Sequence, residues 1–196
     1  MIILASASST RRRLLKAAYI EFQAEPAFID EDEIKRSLEA EQLSCRDIAD
    51  CLAESKSTAV SRQYPGFLVL GADQILENDK MIVNKCSTEE MAFEQLKTLS
   101  GKSHKLHTAM VISKDGSPIW RHVTTSTLWM RELSDQFLSW YCSKAGETLT
   151  NSVGCYAIEG LGRHLFWKID GDETAIQGLH MFPLMDFLRR HQEIPV

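Results

Sequence analysis

The chain of 196 residues is 44% hydrophobic and 25% charged, with a formal net charge of −5, the balance of an ordinary globular protein. That length suits one domain over residues 1–196 with a core needing no staples, and no run approaches the ~18 apolar residues of a membrane-spanning helix. An acidic chain is a poor wrapper of nucleic-acid backbone, so nucleic-acid polymers and membranes are excluded as partners, and the cytoplasm is the expected compartment.

An apolar strand, Ile2–Leu4, opens the chain and runs into a loop of small hydroxyl residues. A helix follows over residues 10–18, beginning with Arg11, Arg12 and Arg13. Helix-start N–H groups, the hydroxyls of Ser6 and Ser8 and one guanidinium can converge on a phosphate. Successive helical residues sit about 100° apart, so one arginine is expected to face a ligand and the others solvent. An ordinary helix capped by Ser9 or Thr10 accounts for the same residues. No glycine-rich nucleotide fingerprint accompanies them.

A second strand is expected over residues 21–25, ended by Pro26. The acidic run 30–33 then reads as a solvated edge, connecting to a helix over residues 47–60 with Ile48, Leu52, Ala59 and Val60 on one stripe. After the Pro65-Gly66 turn, the apolar run 67–73 has the pattern of a strand buried on both faces. Asp73 is placed just past its end, where open α/β sheets bind ligands. A hairpin at Asn78-Asp79, a short strand over residues 81–83 and a helix over 88–99 follow.

A strand is expected from His104, with a hairpin at Asp115-Gly116 and a long strand over 119–130. Ser134 should cap a helix containing Phe137, Leu138 and Tyr141. Gly154, Gly160, Gly162, Gly171 and Gly178 then punctuate short pieces before a final helix, Met181–Arg190. Strands alternating with helices, plus an antiparallel hairpin, predict a single α/β domain built on a mixed sheet. The five cysteines are scattered without a C-x-x-C, so free thiols are expected rather than disulfides or zinc. His104 and His107 lie three apart on a strand and face opposite sides, which rules them out as a metal pair.

Five charged residues supply the parts of metal-assisted phosphoryl chemistry. Asp73 and Glu31 can hold a divalent ion or activate water, while Lys56, Lys85 and Arg11 can neutralise phosphate charge. Mg²⁺ or Mn²⁺ is the cofactor this set suggests, since such ions take few carboxylates and complete their shell with phosphate and water. Each residue by itself also fits a surface charge or a turn.

The order of segments resembles the Maf family of nucleoside triphosphate pyrophosphatases along nearly the whole chain. The matching pieces are Leu4-Ala-Ser-Ala-Ser8 with Arg11, Ile29-Asp-Glu31, Leu52-Ala-Glu-Ser-Lys56, Gly71-Ala-Asp73, Lys85, Leu99-Ser-Gly101, Gly154-Cys-Tyr-Ala-Ile-Glu-Gly160 and Ile169-Asp-Gly171. The resemblance implies an elongated mixed sheet flanked by helices around a long cleft. It implies cleavage of a nucleoside triphosphate to monophosphate and diphosphate with a divalent metal. Asp73 would be the general base or metal-site acid and Glu31 the second acid. Lys56, Lys85, Arg11, Ser6 and Ser8 would contact phosphate, and a homodimer stays open.

Several positions depart from the commoner family pattern. Ser9-Thr10-Arg11 stands for Pro-Arg-Arg, Gln74 for threonine, Asn84-Lys85-Cys86 for Gly-Lys-Pro and Asn151-Ser152-Val153-Gly154 for Asp-Lys-Ala-Gly. Glu159 replaces a common glutamine, and His180 a proline. Gln74 offers a donor and an acceptor to a base, whereas Glu159 only accepts and suits guanine N1–H and the 2-amino group. The pair resembles the family branch that prefers 7-methyl-GTP. That branch often carries an aromatic residue at the Thr10 position, which threonine cannot replace as a stacking surface. The alternatives are a dTTP and UTP pyrophosphatase, or a catalytically weak nucleotide-binding regulator of cell division.

Overall fold

The computed structural model describes residues 1–195 as one α/β unit, with Val196 outside the described residues. In chain order the elements are β1 (Ile2–Leu4), α1 (Ser9–Ala17), β2 (Phe22–Ala24), α2 (Glu31–Ala40), α3 (Cys45–Ser61), β3 (Val69–Asn78) and β4 (Met81–Val83). They continue with α4 (Glu89–Leu99), β5 (Ser103–Lys114), β6 (Ser117–Met130), α5 (Asp135–Ala145), α6 (Thr148–Asn151), β7 (Phe166–Asp170), α7 (Glu173–Ile176) and α8 (Met181–Arg190). No helix is long and apolar enough to cross a membrane among the described residues.

The strands form a seven-stranded mixed sheet in the order β2-β1-β3-β5-β6-β7, with β4 also paired to β3. β1 runs parallel to β2 and β3, and the other pairs are antiparallel. Side-chain alternation along β3 and β5 divides the core between the two faces. Ile75, Ala109 and Val111 pack with Ile48, Leu52 and Ala53 of α3 on one face. On the other, Leu70, Met110 and Ile112 meet Leu15 of α1 and Leu184 and Leu188 of α8, while Leu76, Leu106 and Leu128 meet Leu96 of α4 and Tyr141 of α5.

Local chemistry starts and stops these elements. Thr88 and Ser134 cap α4 and α5 by accepting from Met91 N–H and Phe137 N–H. Asp115 (φ 50°) and Gly116 (φ 79°) make the left-handed turn between β5 and β6, the geometry that matches strand twist in a two-residue hairpin.

Two expectations need correction. The acidic run is not a solvated edge but the first turn of α2, where Glu31, Asp32 and Glu33 sit at the positive end of the helix dipole and Asp30 caps Glu33 N–H. And β3 does not end at Asp73. It continues to Asn78 because β5 pairs with it through Glu77, which puts Asp73 in the strand interior opposite Ala109.

Candidate active site

A notch in the sheet edge makes the cleft. β1 pairs with β3 only at Val69 and Leu70, and β4 rejoins the same edge at Leu76–Asn78. Between them, Gly71–Ile75 have no strand beside them on that edge, so both faces of β3 open onto one space. The chain leaves β1 into the Ser6–Ser8 loop on one side and leaves β4 into Asn84 and Lys85 on the other. These segments, the start of α2 and residues 151–159 and 176–178 enclose a cleft of about 1870 Å³. Ser6, Ser8, Thr10, Arg11, Glu31, Lys56, Asp73, Gln74, Lys85 and Glu159 all line it.

Asp73 points to the α3 face of the sheet. Lys56 of α3 is buried there, with Nζ 2.5 Å from Asp73 Oδ1 and 2.8 Å from Glu31 Oε2. Gly71 permits this approach, because a Cβ at that position would lie 2.2 Å from the Ala53 carbonyl oxygen on α3. The second oxygens, Asp73 Oδ2 and Glu31 Oε1, make no hydrogen bond among the described residues.

Arg11 comes from the opposite wall. Its Nη1 donates to Ser6 Oγ at 3.1 Å and its Nε to the Gly178 carbonyl at 3.1 Å. Burial pushes the guanidinium below its ordinary value, and the negative charges of Asp73 and Glu31 oppose that push. Ser8, rather than Ser9 or Thr10, caps α1, accepting from Arg11 N–H at 3.3 Å, while its own N–H donates to Ser6 Oγ. Arg12 and Arg13 are less idle than expected of solvent-facing side chains. Arg12 donates to the Ala7 carbonyl and lines the cleft, and Arg13 pairs with Glu159 and reaches Gln177 Oε1.

Gln74 faces the other side of β3. Its Nε2 donates to Thr108 Oγ1 at 2.8 Å and to the carbonyls of Ala175 and Ile176 at 3.2 and 3.0 Å. Both amide protons are thereby used, leaving Oε1 as an acceptor only. The expectation of a residue with donor and acceptor to offer is corrected on that point. Lys85 is exposed and makes no ion pair among the described residues. Behind the cleft, the Tyr156 hydroxyl bonds His104 Nε2 at 2.7 Å, and burial pushes His104 down to about 4.

Lys35 and Arg36 also line the cleft from α2, and sequence reasoning missed them along with their helix. The available signal was Asp30 three residues before Glu33, followed by Ile34 and Leu38 four apart. No group of three or more His, Cys, Asp or Glu side chains is arranged to hold a metal among the described residues. Asp73 and Glu31 nonetheless present two carboxylates on one wall, each with an oxygen outside the Lys56 pair. That donor set suits a hard ion drawing its other ligands from water and phosphate.

A family model described as Maf-like protein matches residues 1–191. The chain is similar to the nucleoside triphosphate pyrophosphatase of Granulibacter bethesdensis, with 43% identity over 195 residues, 100% of this chain and 99% of that protein. It is similar to the protein of the same name from Caulobacter vibrioides, 45% identical over 195 residues, covering 100% and 98%. A third, from Rhodospirillum rubrum, is 43% identical over 190 residues, covering 97% and 94%.

Proposed function

The chain belongs to the Maf family, and on that footing we propose that it is a nucleoside triphosphate pyrophosphatase of the cytoplasm. The reaction breaks the bond between the α-phosphorus and the bridging oxygen to the β-phosphate. Water supplies its oxygen to the monophosphate, and diphosphate leaves. The observation that carries this reading is the Glu31–Lys56–Asp73 cluster facing Arg11 across one cleft.

Lys56 fixes the Asp73 carboxylate through Oδ1, leaving Oδ2 to activate the attacking water, either as its base or through an ion held with Glu31. Arg11, anchored by Ser6 and Gly178, and the exposed Lys85 neutralise the phosphate tail, with helix-start N–H groups beyond Ser8 adding donors. Asp73 and Glu31 would hold a divalent ion, Mg²⁺ or Mn²⁺, which when bound supplies charge neutralisation on the phosphates.

On the base side, the Gln74 carbonyl oxygen and the Glu159 carboxylate are both acceptors. Such a pocket matches guanine, which offers N1–H and a 2-amino group, better than uracil or thymine, which offer one N–H between carbonyls. Glu159 pairs with Arg13 through Oε1 and keeps Oε2 for the base, and its carboxylate favours the cationic 7-methylguanine, so 7-methyl-GTP is the preferred substrate in this reading.

The test is a panel of GTP, 7-methyl-GTP, UTP and dTTP with Mg²⁺ or Mn²⁺, separating diphosphate from orthophosphate. Monophosphate with diphosphate is expected, fastest for 7-methyl-GTP, and chelation should stop it. Orthophosphate as first product would overturn the bond assignment. Faster turnover of dTTP and UTP would reverse the base assignment. Binding without turnover would favour the regulator, a reading that Asn151 on the cleft wall keeps in view.

A further inference from the structure

Phe28 is 95% exposed on the loop between β2 and α2, and it lines the cleft. A phenyl ring held in water gains free energy from any flat apolar partner that covers it. Only one other aromatic side chain lines the cleft among the described residues, and it is committed elsewhere. Tyr156 is 5% exposed, bonded to His104 and packed against Phe166. Thr10, on the opposite wall, offers no ring.

The loop is short and tied at both ends. Pro26 restricts its backbone at one side, and at the other Asp30 accepts from Glu33 N–H at 2.9 Å. Phe28 lies three residues from Glu31, so at most about 10 Å of chain separates them. Glu31 in turn touches Lys56 beside Asp73. A nucleotide whose phosphates sit between Arg11 and Lys85, beside the Asp73 carboxylate, extends its base over a comparable distance.

We propose that Phe28 is the stacking platform for the nucleobase, a specificity-determining residue that grips the base by its face while Gln74 and Glu159 read its edge. The inference rests on the nucleotide reading of the cleft. Stacking is indifferent to base identity but grows with ring area and with positive charge on the ring. Phe28 should therefore contribute least to UTP, more to GTP and most to 7-methyl-GTP.

Phe28→Ala and Phe28→Tyr separate this role from others. Calorimetric binding with Mg²⁺ is measured for UTP, GTP, 7-methyl-GTP and inorganic tripolyphosphate, which has no base, alongside steady-state kinetics. Phe28→Ala is expected to weaken GTP about tenfold, 7-methyl-GTP more and UTP less. Tripolyphosphate affinity and Tm should be unchanged, KM should rise with kcat nearly constant, and Phe28→Tyr should bind like the parent. Equal affinities in parent and Phe28→Ala for all three nucleotides would overturn the inference while leaving the pyrophosphatase reading intact. Parallel loss of tripolyphosphate would also overturn it, since Phe28 would then only shape the phosphate site. If the parent binds nucleotides in this order without cleaving them, the platform stands and the proposed activity falls.

Discussion

Lys56 Nζ stands 2.5 Å from Asp73 Oδ1, and both side chains are more than nine-tenths buried. Breaking a buried pair by removing one partner strands the other charge. Lys56→Met is expected to cost roughly 3–5 kcal/mol of stability, read by urea unfolding, and to abolish diphosphate release. The double variant K56M/D73N should recover part of that stability and none of the activity. A double variant no more stable than Lys56→Met would show that the pair is not what Lys56 contributes.

Glu31 touches the same lysine but is 43% exposed, so solvent screens the contact. Glu31→Gln should unfold within about 1 kcal/mol of the parent while losing at least tenfold in kcat, because the negative charge next to Lys56 is no longer available to the ion or the water. A stable variant with parental kcat would remove Glu31 from the machinery.

Gly71 sets the distance between β3 and α3. Gly71→Ala would put Cβ 2.2 Å from the Ala53 carbonyl oxygen and 2.6 Å from Ser57 N, both backbone atoms that cannot rotate away. The helix must shift, carrying Lys56 off Asp73, which lies two residues further along the strand. The expected cost is about 1–3 kcal/mol, with activity falling further than the loss of folded protein accounts for. Activity that simply tracks the folded fraction would show that α3 returns to register.

The parts of the fold legible in the sequence were those with a local cause. Ser134 and Asp115-Gly116 announce their cap or turn within four residues, and the final helix Met181–Arg190 is read from its own sequence. α2 escaped because Ile34 and Leu38 are only half-buried and its acidic first turn resembles solvated surface. The end of β3 was misplaced because the continuous apolar run stops near Asp73, whereas the strand is prolonged by pairing with β5. Of the site, the charged residues were legible as residue types, but their meeting was not. Lys56 and Asp73 are 17 positions apart on different elements, and the Gln74 amide is occupied by carbonyls about a hundred residues away. Arg13 looked solvent-facing because its partner, Glu159, is 146 positions distant.

His104 should give the fold a sensitivity to acid. Its imidazole is buried between Tyr156 and Phe166, Nε2 bonds the Tyr156 hydroxyl, and Nδ1 has no partner among the described residues. Burial pushes its folded-state value down to about 4, against about 6.5 in the unfolded chain. Above pH 6.5 both states hold it neutral and its contribution is complete. Between about pH 6.5 and 4 the unfolded chain takes up a proton that the folded protein refuses, so stability falls by up to about 1.4 kcal/mol per pH unit, about 3 kcal/mol over the window. Below pH 4 the folded protein takes up the proton too and this slope ends. His104→Gln retains a hydrogen-bonding group for Tyr156 but cannot titrate. Urea unfolding of both proteins across pH 7 to 4 isolates the effect, since all other titrating groups are shared. The parent should lose the extra 3 kcal/mol relative to the variant, and parallel curves would mean that His104 is protonated as readily folded as unfolded.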